Sequence, residues 1–458
     1  MQKFDFGNKM HIHFIGIGGI SMSGIAELLL SKGFTVSGSD SKESDITKRL
    51  ESLGAKVSVP QSADNITDDI DLVTYTAAIH EDNPELQAVR AKGIKAFSRA
   101  DILGEIMRNY DFPVSVAGTH GKTTTTSMLS EALLHAEKDP TISVGGILPS
   151  IGGNFRVGGD RFFVTEACEY TNSFLSFFQK IGIILNVDAD HLDFFKDIDD
   201  IRLSFHKFAS SIPADGHLII NGEVEKIESI TDGLACKVIT YGCNEKYDYY
   251  ATDIKYDALA HASYELHHGD KVLGRLKLSV PGVHNVYNSM AAFIACELLG
   301  LGFDETAAAF EAYHGTDRRF QKKGELNGTV IIDDYAHHPT EIEATINAAK
   351  HCPHRTIWVA FQPHTYTRTK ALFKEFAAAL AKADKVVLAD IYAARETDTL
   401  GVSSKLLADE IKKNGTDAYY FGSFAEIEKF LQQNCINGDM LITMGAGDIY
   451  KVGESLLS

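Results

Sequence analysis

The stretch AGTHGKTTTT, residues 117–126, combines two glycines with a lysine and a run of threonines. It follows an apolar run of strand length, FPVSVAG, and precedes a segment with apolar residues at helical spacing. A strand, a glycine turn and a helix in that order bring backbone N–H groups to a helix N-terminus, where they bind phosphate. The usual phosphate loop has four residues between its glycines, whereas Gly118 and Gly121 enclose only Thr119 and His120. The sequence therefore predicts a nucleotide site on a shortened loop.

Two side chains of this loop suit phosphate chemistry. Lys122 is expected to reach the β- and γ-phosphates of ATP, and Thr123 to ligate Mg²⁺. Mn²⁺ is an alternative ion. A strand-to-helix turn with a capping threonine and a solvated lysine is the alternative interpretation. The predicted nucleotide-binding residues of the loop are Gly118, Thr119, His120, Gly121, Lys122, Thr123 and Thr124.

Bulk properties limit the class of protein. A chain of 458 residues suggests two to four domains, and it contains no apolar run long enough for a membrane helix and no secretory signal pattern. The six cysteines form no C-x-x-C pair, so reduced thiols are expected. A net charge of −18 argues against nucleic-acid and anionic-membrane partners. We therefore expect a cytoplasmic protein, monomeric or homodimeric.

Three α/β blocks follow one another along the chain. Strand-like and helix-like segments alternate in each block, which predicts parallel sheets with right-handed crossovers. The predicted domains are residues 1–110, 111–316 and 317–458.

The first block opens with a glycine turn after an apolar strand, HIHFIGIGG. Gly16 and Gly18 resemble a dinucleotide fingerprint, but Ser21 stands at its sixth position. Such a turn can cradle the diphosphate of a nucleotide sugar, with Asp40 placed to meet the nucleoside. Binding of a nicotinamide cofactor and glycines that serve only close packing are the alternatives.

In the second block, polar residues stand where apolar strands end. Glu166 follows FFVT, and His191 lies in DADH after IGIILNV. Open α/β sheets bind ligands at the carboxyl ends of their strands. Glu166 and His191 are therefore predicted to complete a Mg²⁺ site, with Glu169 as an alternative ligand.

The third block carries two further polar groups of residues after strands. Adjacent histidines in an extended turn point in different directions and rarely ligate one ion, so substrate contacts are favoured over a transition-metal site. The segment FQPHTYTRTK could recognise carboxylate or phosphate, or could be an ordinary basic helix start. These residues are Asp333, Asp334, His337 and His338 in the first group, and His364, Arg368 and Lys370 in the second.

Eight motifs in order resemble those of the Mur ligases over essentially the whole chain. They are GIGGISMSGIAE, AGTHGKTTTT, EACEYTNSFL, NVDADHLDFF, GVHNVYNSMAA, DDYAHHPTEI, FQPHTYTRTK and MGAGDI. The resemblance implies an α/β protein with a Rossmann-like N-terminal domain, a central P-loop-type ATPase domain and a Rossmann-like C-terminal domain. It also implies that ATP activates the lactyl carboxylate of UDP-N-acetylmuramate for attack by L-alanine.

The same resemblance implies roles for individual residues. Gly16, Gly18, Ser21 and Asp40 are expected to bind the UDP substrate, and His337 and Arg368 to lie near the incoming amino acid. His284, Asn285 and Asn288 resemble an adenine-contacting H-N-x-x-N motif, and Arg319 and Asp334 resemble groups that close on ATP. The expected catalytic residues are Lys122, Glu166, His191 and Arg319.

The chain departs from the family pattern at two places. Thr365 stands where many members have arginine, so the amino-acid carboxylate is expected to have one cationic partner fewer. Sibling ligases carry a carbamylated lysine near the position of His206, where Lys207 is only adjacent, so no carbamylation is assigned. A ligase that attaches a tripeptide, an NAD-dependent oxidoreductase and a non-catalytic nucleotide-binding module are the alternatives in function.

Overall fold

The computed structural model describes residues 4–76, 78–192, 194–394, 396–397 and 400–458. Within these residues the chain forms three sheets of five, ten and six strands, each flanked by helices. The predicted α/β fold class is confirmed. No helix in the same part of the chain is long and apolar enough to cross a membrane.

The first sheet is parallel throughout and has the order β3-β2-β1-β4-β5. Its central strand carries a buried apolar run, as expected for a strand covered on both faces. After β1, the chain adds β2 and β3 on one side of this strand and then β4 and β5 on the other. The glycine turn after β1 therefore lies at the topological switch point, where such sheets bind ligands. The strands are β1 His11–Ile15, β2 Thr35–Ser39, β3 Lys56–Ser58, β4 Leu72–Tyr75 and β5 Lys95–Ser98; the helices are α1 Ile20–Ser31, α2 Asp45–Ser52, α3 Pro84–Lys92 and α4 Arg99–Met107.

The central sheet has the order β15-β14-β13-β12-β11-β10-β6-β9-β7-β8. Its core strands are parallel, but β13, β14 and β15 form antiparallel hairpins and β8 is antiparallel to β7. The strands are β6 Phe112–Ala117, β7 Thr141–Leu148, β8 Gly153–Arg156, β9 Phe162–Ala167, β10 Ile181–Ile184, β11 His217–Asn221, β12 Lys237–Gly242, β13 Tyr249–Tyr256, β14 His261–His268 and β15 Lys271–Pro281; the helices are α5 Lys122–His135, α6 Ile198–Ser210, α7 Glu228–Thr231, α8 His284–Leu298 and α9 Phe303–Ala312.

The third sheet has the order β16-β17-β21-β18-β19-β20, and only β16 runs antiparallel among its described strands. The strands are β16 Gln321–Leu326, β17 Thr329–Asp334, β18 Ile357–Phe361, β19 Lys385–Leu388, β20 Asp417–Tyr420 and β21 Met440–Met444; the helices are α10 Pro339–His351, α11 Tyr366–Ala371, α12 Phe373–Leu380, α13 Ser404–Lys413, α14 Phe424–Asn434 and α15 Tyr450–Leu457.

The expectation of parallel sheets is therefore wrong for parts of the second and third sheets. Hairpins such as β14–β15 need only a short turn, for example around Gly269, and no crossover helix. The regular alternation of strands and helices on either side of these hairpins suggested that the same alternation continues through them. The parallel part of each sheet nevertheless brings the predicted site residues to strand carboxyl ends.

Candidate functional site

The phosphate loop, residues 118–121, leaves β6 and leads into α5. Both of its glycines have positive φ, 143° at Gly118 and 83° at Gly121. A Cβ on Gly121 would lie 2.5 Å from the Asn288 side-chain oxygen, and one on Gly118 would lie 3.0 Å from Leu185 Cβ. Glycine is therefore required at both positions for backbone conformation and for close packing.

Lys122 is held inside this loop. Its Nζ lies 3.0 Å from Glu169 Oε2 and donates to the backbone oxygens of Gly118 and Thr119. Burial alone would lower the pKa of Lys122, but the charge and hydrogen bond of Glu169, together with the nearby Cys168 and Glu166, outweigh it and the pKa is raised. The lysine is therefore a permanent cation, and Glu169 is engaged as its counter-ion.

Thr123 and Glu166, two of the predicted metal ligands, lie beside the adjacent residues Gly146 and Gly145 of β7. The Gly145 N–H donates to Glu166 Oε1 at 2.5 Å, and a Cβ on Gly146 would lie 3.3 Å from Thr123 Cγ2. The third, His191, has a positive φ of 53° and its ring stacks on that of Tyr170 with centroids 4.4 Å apart. In the described part of the chain no three His, Cys, Asp or Glu side chains are grouped to hold a metal ion by themselves.

A cavity of about 260 Å³ opens beside the phosphate loop. Several parts of the chain form its walls: the loop and α5, the ends of β10, β11 and β15, the start of α8, and the third domain. The predicted nucleotide-binding residues that line it are His120, Gly121, Thr124, His284, Asn285, Asn288, Arg319 and Asp334. Asn288 Nδ2 donates to Asn285 Oδ1 at 2.9 Å, so the two amides of the H-N-x-x-N motif orient each other.

The third domain touches the phosphate loop through Glu341. Glu341 Oε1 lies 3.2 Å from His120 Nδ1, and Asp188 Oδ2 lies 3.4 Å from the other ring nitrogen. The second oxygen of Glu341 accepts from the backbone N–H groups of His337 and His338, which caps α10. Burial lowers the pKa of His120, but the hydrogen bond and charge of Glu341 and the charge of Asp188 raise it overall.

Two arginines of the third domain also reach the central domain. Arg319 Nη2 donates to Thr123 Oγ1 at 3.4 Å, and Arg368 Nε lies 3.2 Å from Asp190 Oδ1. Asp334 lies beneath Arg319, where it accepts from the backbone N–H groups of Phe320 and Ala336. Burial raises the pKa of Asp334 to about 6.

His337 and His364 lie beside Arg368. The His364 Nδ1 is 3.4 Å from Arg368 Nη1, and the His337 and His364 rings are 6.1 Å apart. Burial lowers the pKa of both histidines to about 4, so both are neutral at pH 7. This group thus combines one permanent cation, Arg368, with two neutral imidazoles, His364 from the same segment after β18 and His337 from the segment after β17.

The predicted substrate residues of the first domain form a separate group at the switch point of the first sheet. The Gly18 N–H donates to Asp40 Oδ2 at 2.9 Å, so Asp40 closes the glycine turn itself. Ser21 Oγ accepts from Arg99 Nη1 at 3.2 Å. None of Gly16, Gly18, Ser21 and Asp40 lines the 260 Å³ cavity, whose described walls belong to the other two domains.

Three family models match the chain in succession. They are described as the Mur ligase family catalytic domain over residues 11–111, the Mur ligase middle domain over 116–296, and the Mur ligase glutamate ligase domain over 318–447. The chain belongs to the Mur ligase family. The resemblance inferred from eight motifs is therefore confirmed.

Similar proteins point to one branch of the Mur ligases. The UDP-N-acetylmuramate–L-alanine ligases of Lachnospira eligens and Agathobacter rectalis are 60% and 59% identical to the chain, with complete coverage on both sides. The crystal structure of a UDP-N-acetylmuramate–alanine ligase from Thermotoga maritima has a TM-score of 0.79 at 32% identity and covers 98% of each chain. A murein peptide ligase from Psychrobacter arcticus shares the fold, with a TM-score of 0.70 at 24% identity.

Several residues of this site were not predicted from the sequence to have a functional role. Glu341 stands in the motif DDYAHHPTEI, where the spacing H-P-T-E is that of a capping box and indicates the start of a helix. The contact between Glu341 and His120 could not be predicted from this motif. Asp190 stands next to His191, and its ion pair with Arg368 joins residues that are far apart in the sequence. Tyr287 lines the cavity from the interior of the motif H-N-V-Y-N.

Glu341→Gln is expected to lower the pKa of His120, because the variant lacks the carboxylate that raises it. A raised histidine pKa stabilises the fold at pH values below about 6.5 and loses this effect as the pH rises through the raised value. The free-energy difference of unfolding between wild type and variant should therefore shrink with increasing pH. Nuclear magnetic resonance titration of the His120 ring measures the pKa directly.

The matched control is Glu343→Gln on the same helix, where the carboxylate pairs with Lys382. It should leave the titration of His120 unchanged. An unchanged His120 pKa in Glu341→Gln would contradict the assigned contact.

Proposed function

We propose that this protein joins L-alanine to the lactyl carboxylate of UDP-N-acetylmuramate, with ATP converted to ADP and phosphate. The observation that carries the proposal is the 260 Å³ cavity, because it ends on the phosphate loop and is closed by Arg319 and Glu341 of the third domain. Relatives that are 60% identical over the full chain carry the name of this activity. We propose the predicted ranges 1–110, 111–316 and 317–458 as the UDP-substrate, ATP and amino-acid domains.

The cavity suits the nucleotide in shape and in polarity. Its inner wall is apolar, with Leu185, Val280 and Ala348, and the two asparagines of α8 supply donors and acceptors to a base. The phosphate loop lies at one end, so the triphosphate extends toward Lys122 and Thr123. We propose that the adenosine of ATP occupies this cavity.

The first chemical step forms an acyl phosphate. A carboxylate oxygen of the substrate attacks the γ-phosphorus of ATP, and the bond from that phosphorus to the bridging oxygen of ADP breaks. The negative charge of the transferring phosphoryl group and the leaving ADP is offset by Lys122 of the phosphate loop and by Arg319 of the third domain, whose Nη2 donates to Thr123 Oγ1. Both cations are held by protein groups before any ligand binds, which reduces reorganisation during the reaction.

The proposed metal ion is Mg²⁺, with Mn²⁺ as a substitute. Mg²⁺ sites in phosphoryl-transfer enzymes use one or two protein carboxylates together with substrate phosphates. Glu166 and Thr123 lie beside the adjacent β7 residues Gly145 and Gly146 and fit such a partial ligand set, and His191 lies in the loop after β10. Bound there, the ion would offset charge on the phosphates.

The second step forms the amide. The amine of L-alanine attacks the carbonyl carbon of the acyl phosphate, phosphate leaves with the carboxylate oxygen, and the nitrogen loses a proton. We assign the amino-acid carboxylate to Arg368 and the amine to the neutral histidines beside it. His337 Nδ1 contacts the Tyr335 carbonyl oxygen at 3.0 Å, which leaves Nε2 as an acceptor.

A murein peptide ligase activity, which uses a tripeptide as the amine, is the second candidate, since a protein of that name shares the fold. Both reactions use the same UDP sugar and ATP. They differ in the third domain, where a tripeptide needs more room around Arg368. ATP and UDP sugars are cytoplasmic metabolites, so we propose the cytoplasm as the place of the reaction.

ADP release measured with each amine separates these functions. With UDP-N-acetylmuramate, L-alanine should give rapid ADP release, the tripeptide should give little, and omission of the UDP sugar should abolish release. Lys122→Ala should lower turnover by about 10²-fold or more, because a contact to the transferring phosphoryl group is lost. The control Lys237→Ala, at an exposed position on β12, should keep full turnover. Faster release with the tripeptide would overturn the choice of amine.

Glu166→Gln is expected to raise the Mg²⁺ concentration needed for half-maximal activity by about tenfold or more. An amide oxygen is a weaker ligand for a hard cation than a carboxylate. Activity measured across a Mg²⁺ titration tests this, with Glu225→Gln as a control at an exposed ion pair. A titration curve identical to that of the wild type would remove Glu166 from the metal site.

Arg368→Lys is expected to raise the KM for L-alanine by roughly ten- to a hundred-fold. A lysine cannot meet both carboxylate oxygens at once, and loss of such a charge-assisted contact costs about 1.5 to 3 kcal/mol. The KM values for ATP and UDP-N-acetylmuramate should stay nearly constant.

Arg355→Lys is the matched control, since Arg355 of the same domain pairs with Asp439 away from the site. It should leave all three KM values unchanged. A rise in the KM for ATP alone in Arg368→Lys would assign Arg368 to the nucleotide.

A further inference from the structure

Arg368, the cation proposed to bind the carboxylate of L-alanine, stands on a very short helix. α11 has six residues, or about 1.7 turns. The chain leaves helical geometry at Leu372, with φ −111° and ψ 29°, so α12 does not extend this helix. Helices shorter than about 12 residues are marginal by themselves in water. Contacts with the rest of the third domain must therefore fix the position of α11.

Thr365, the residue before α11, has a strained backbone. Its φ of 67° and ψ of 145° lie outside the regions that a β-branched residue normally adopts. Strain of this kind persists only where the surrounding structure holds it, and it is concentrated at functional sites. Thr365 Oγ1 accepts from the Arg368 N–H, but at 3.4 Å this hydrogen bond is long. The threonine therefore does not fix the start of the helix alone.

The loop that follows β19 pairs with the residues that lead into α11. The Thr365 N–H donates to the Tyr392 carbonyl oxygen at 2.9 Å, and the Tyr392 N–H donates to the Pro363 carbonyl oxygen at 2.8 Å. The His364 and Tyr392 rings stack with their centroids 5.5 Å apart. Because β18 and β19 are adjacent parallel strands, their loops leave the sheet side by side. This pairing holds the strained conformation of Thr365.

Glu396 of the same loop holds the first turn of α11. Its Oε2 accepts from the Tyr366 N–H at 2.6 Å and from the Thr367 N–H at 3.0 Å. The Thr367 hydroxyl donates to the other carboxylate oxygen. N–H groups at a helix start have no partner within the helix, and a negative charge there also interacts favourably with the helix dipole. Glu396 therefore caps α11 from a part of the chain 30 residues after Tyr366.

The direction of α11 decides where the Arg368 guanidinium points. Its Nε lies 3.2 Å from Asp190 Oδ1, and its Nη1 lies 3.4 Å from His364 Nδ1. A guanidinium meets a carboxylate through two parallel N–H groups, so this recognition depends on direction as well as on charge. A shift of the first turn of α11 would turn the guanidinium away from that direction. The cap of the helix is thus linked to the proposed alanine contact.

We propose that Glu396 is a positioning residue of the amino-acid site, which caps α11 and so holds Arg368 in the direction in which it meets the carboxylate of L-alanine. The inference rests on the proposed function and adds no contact to the amino acid. The contacts of Glu396 described above are to Tyr366 and Thr367 of the helix. Its effect on alanine therefore passes through Arg368.

Steady-state kinetics of Glu396 variants tests this proposal. Glu396→Ala leaves the first turn of α11 without its cap, and the KM for L-alanine should rise about five- to tenfold. The turnover at saturating alanine and the KM values for ATP and UDP-N-acetylmuramate should stay within about twofold of the wild type, since α11 does not contact these ligands in the proposed site. Glu396→Gln keeps an acceptor oxygen for the N–H groups and should restore a KM for alanine close to that of the wild type.

A double variant separates positioning of Arg368 from a general loss of structure. A lysine meets a carboxylate as a point charge, so its contact depends little on the direction of the helix. In the Arg368→Lys background, Glu396→Ala should therefore raise the KM for alanine by no more than about twofold further. A full additional rise of five- to tenfold would show that Glu396 acts on alanine by another route, and would overturn the proposal.

The matched control is Glu426→Ala, which removes a carboxylate from the first turn of α14, where it contacts the Ser423 hydroxyl. It should leave all three KM values unchanged. Glu396→Asp, whose carboxylate is one methylene shorter, should give an intermediate rise and serves as the test if Glu396→Ala does not fold. An unchanged KM for alanine in these variants, or an equal rise in all three KM values, would overturn the proposal. Failure of the wild type to release ADP with L-alanine would instead contradict the proposed function.

Discussion

The contact between Glu341 and His120 joins the third domain to the phosphate loop, and the rest of the site depends on it. Glu341 caps α10 with one oxygen and meets the loop histidine with the other. The same docking brings Arg319 to Thr123 and Arg368 to Asp190. All three contacts involve partly or fully buried charges, whose interactions weaken steeply when water enters. The nucleotide cavity therefore has its complete set of walls only while the two domains are docked.

Charge neutralisation inside the protein explains how an acidic chain holds three anionic ligands. Lys122 has Glu169 as counter-ion, and Arg368 has Asp190. In the proposed reaction, an incoming phosphate or carboxylate would compete with these carboxylate side chains for the cation. Long-range attraction plays little part in a chain with a net charge of −18.

Sequence reasoning found those parts of the site that follow from local rules. Glu166 and Asp334 stand at the carboxyl ends of β9 and β17, His191 lies in the loop after β10, and a strand followed by a glycine turn is visible in a few residues. The antiparallel hairpins of β13–β15 were missed, because short alternating strands give a weak signal beside long helices. Asp40 was predicted to meet a nucleoside, and its contact with the Gly18 N–H, 22 residues away in sequence, was not predicted. Contacts of this kind depend on how helices and strands pack against each other, and a short sequence motif holds no information about that packing.

The central claim is that the lactyl carboxylate is activated by phosphoryl transfer within the site that the docked domains form. Isotope transfer tests it most directly, with UDP-N-acetylmuramate that carries ¹⁸O in both carboxylate oxygens. During ligation with L-alanine and ATP, mass spectrometry should find one ¹⁸O atom in each released phosphate and one retained in the amide carbonyl. Released phosphate without ¹⁸O would contradict the account, because the carboxylate oxygen would not have become bonded to phosphorus.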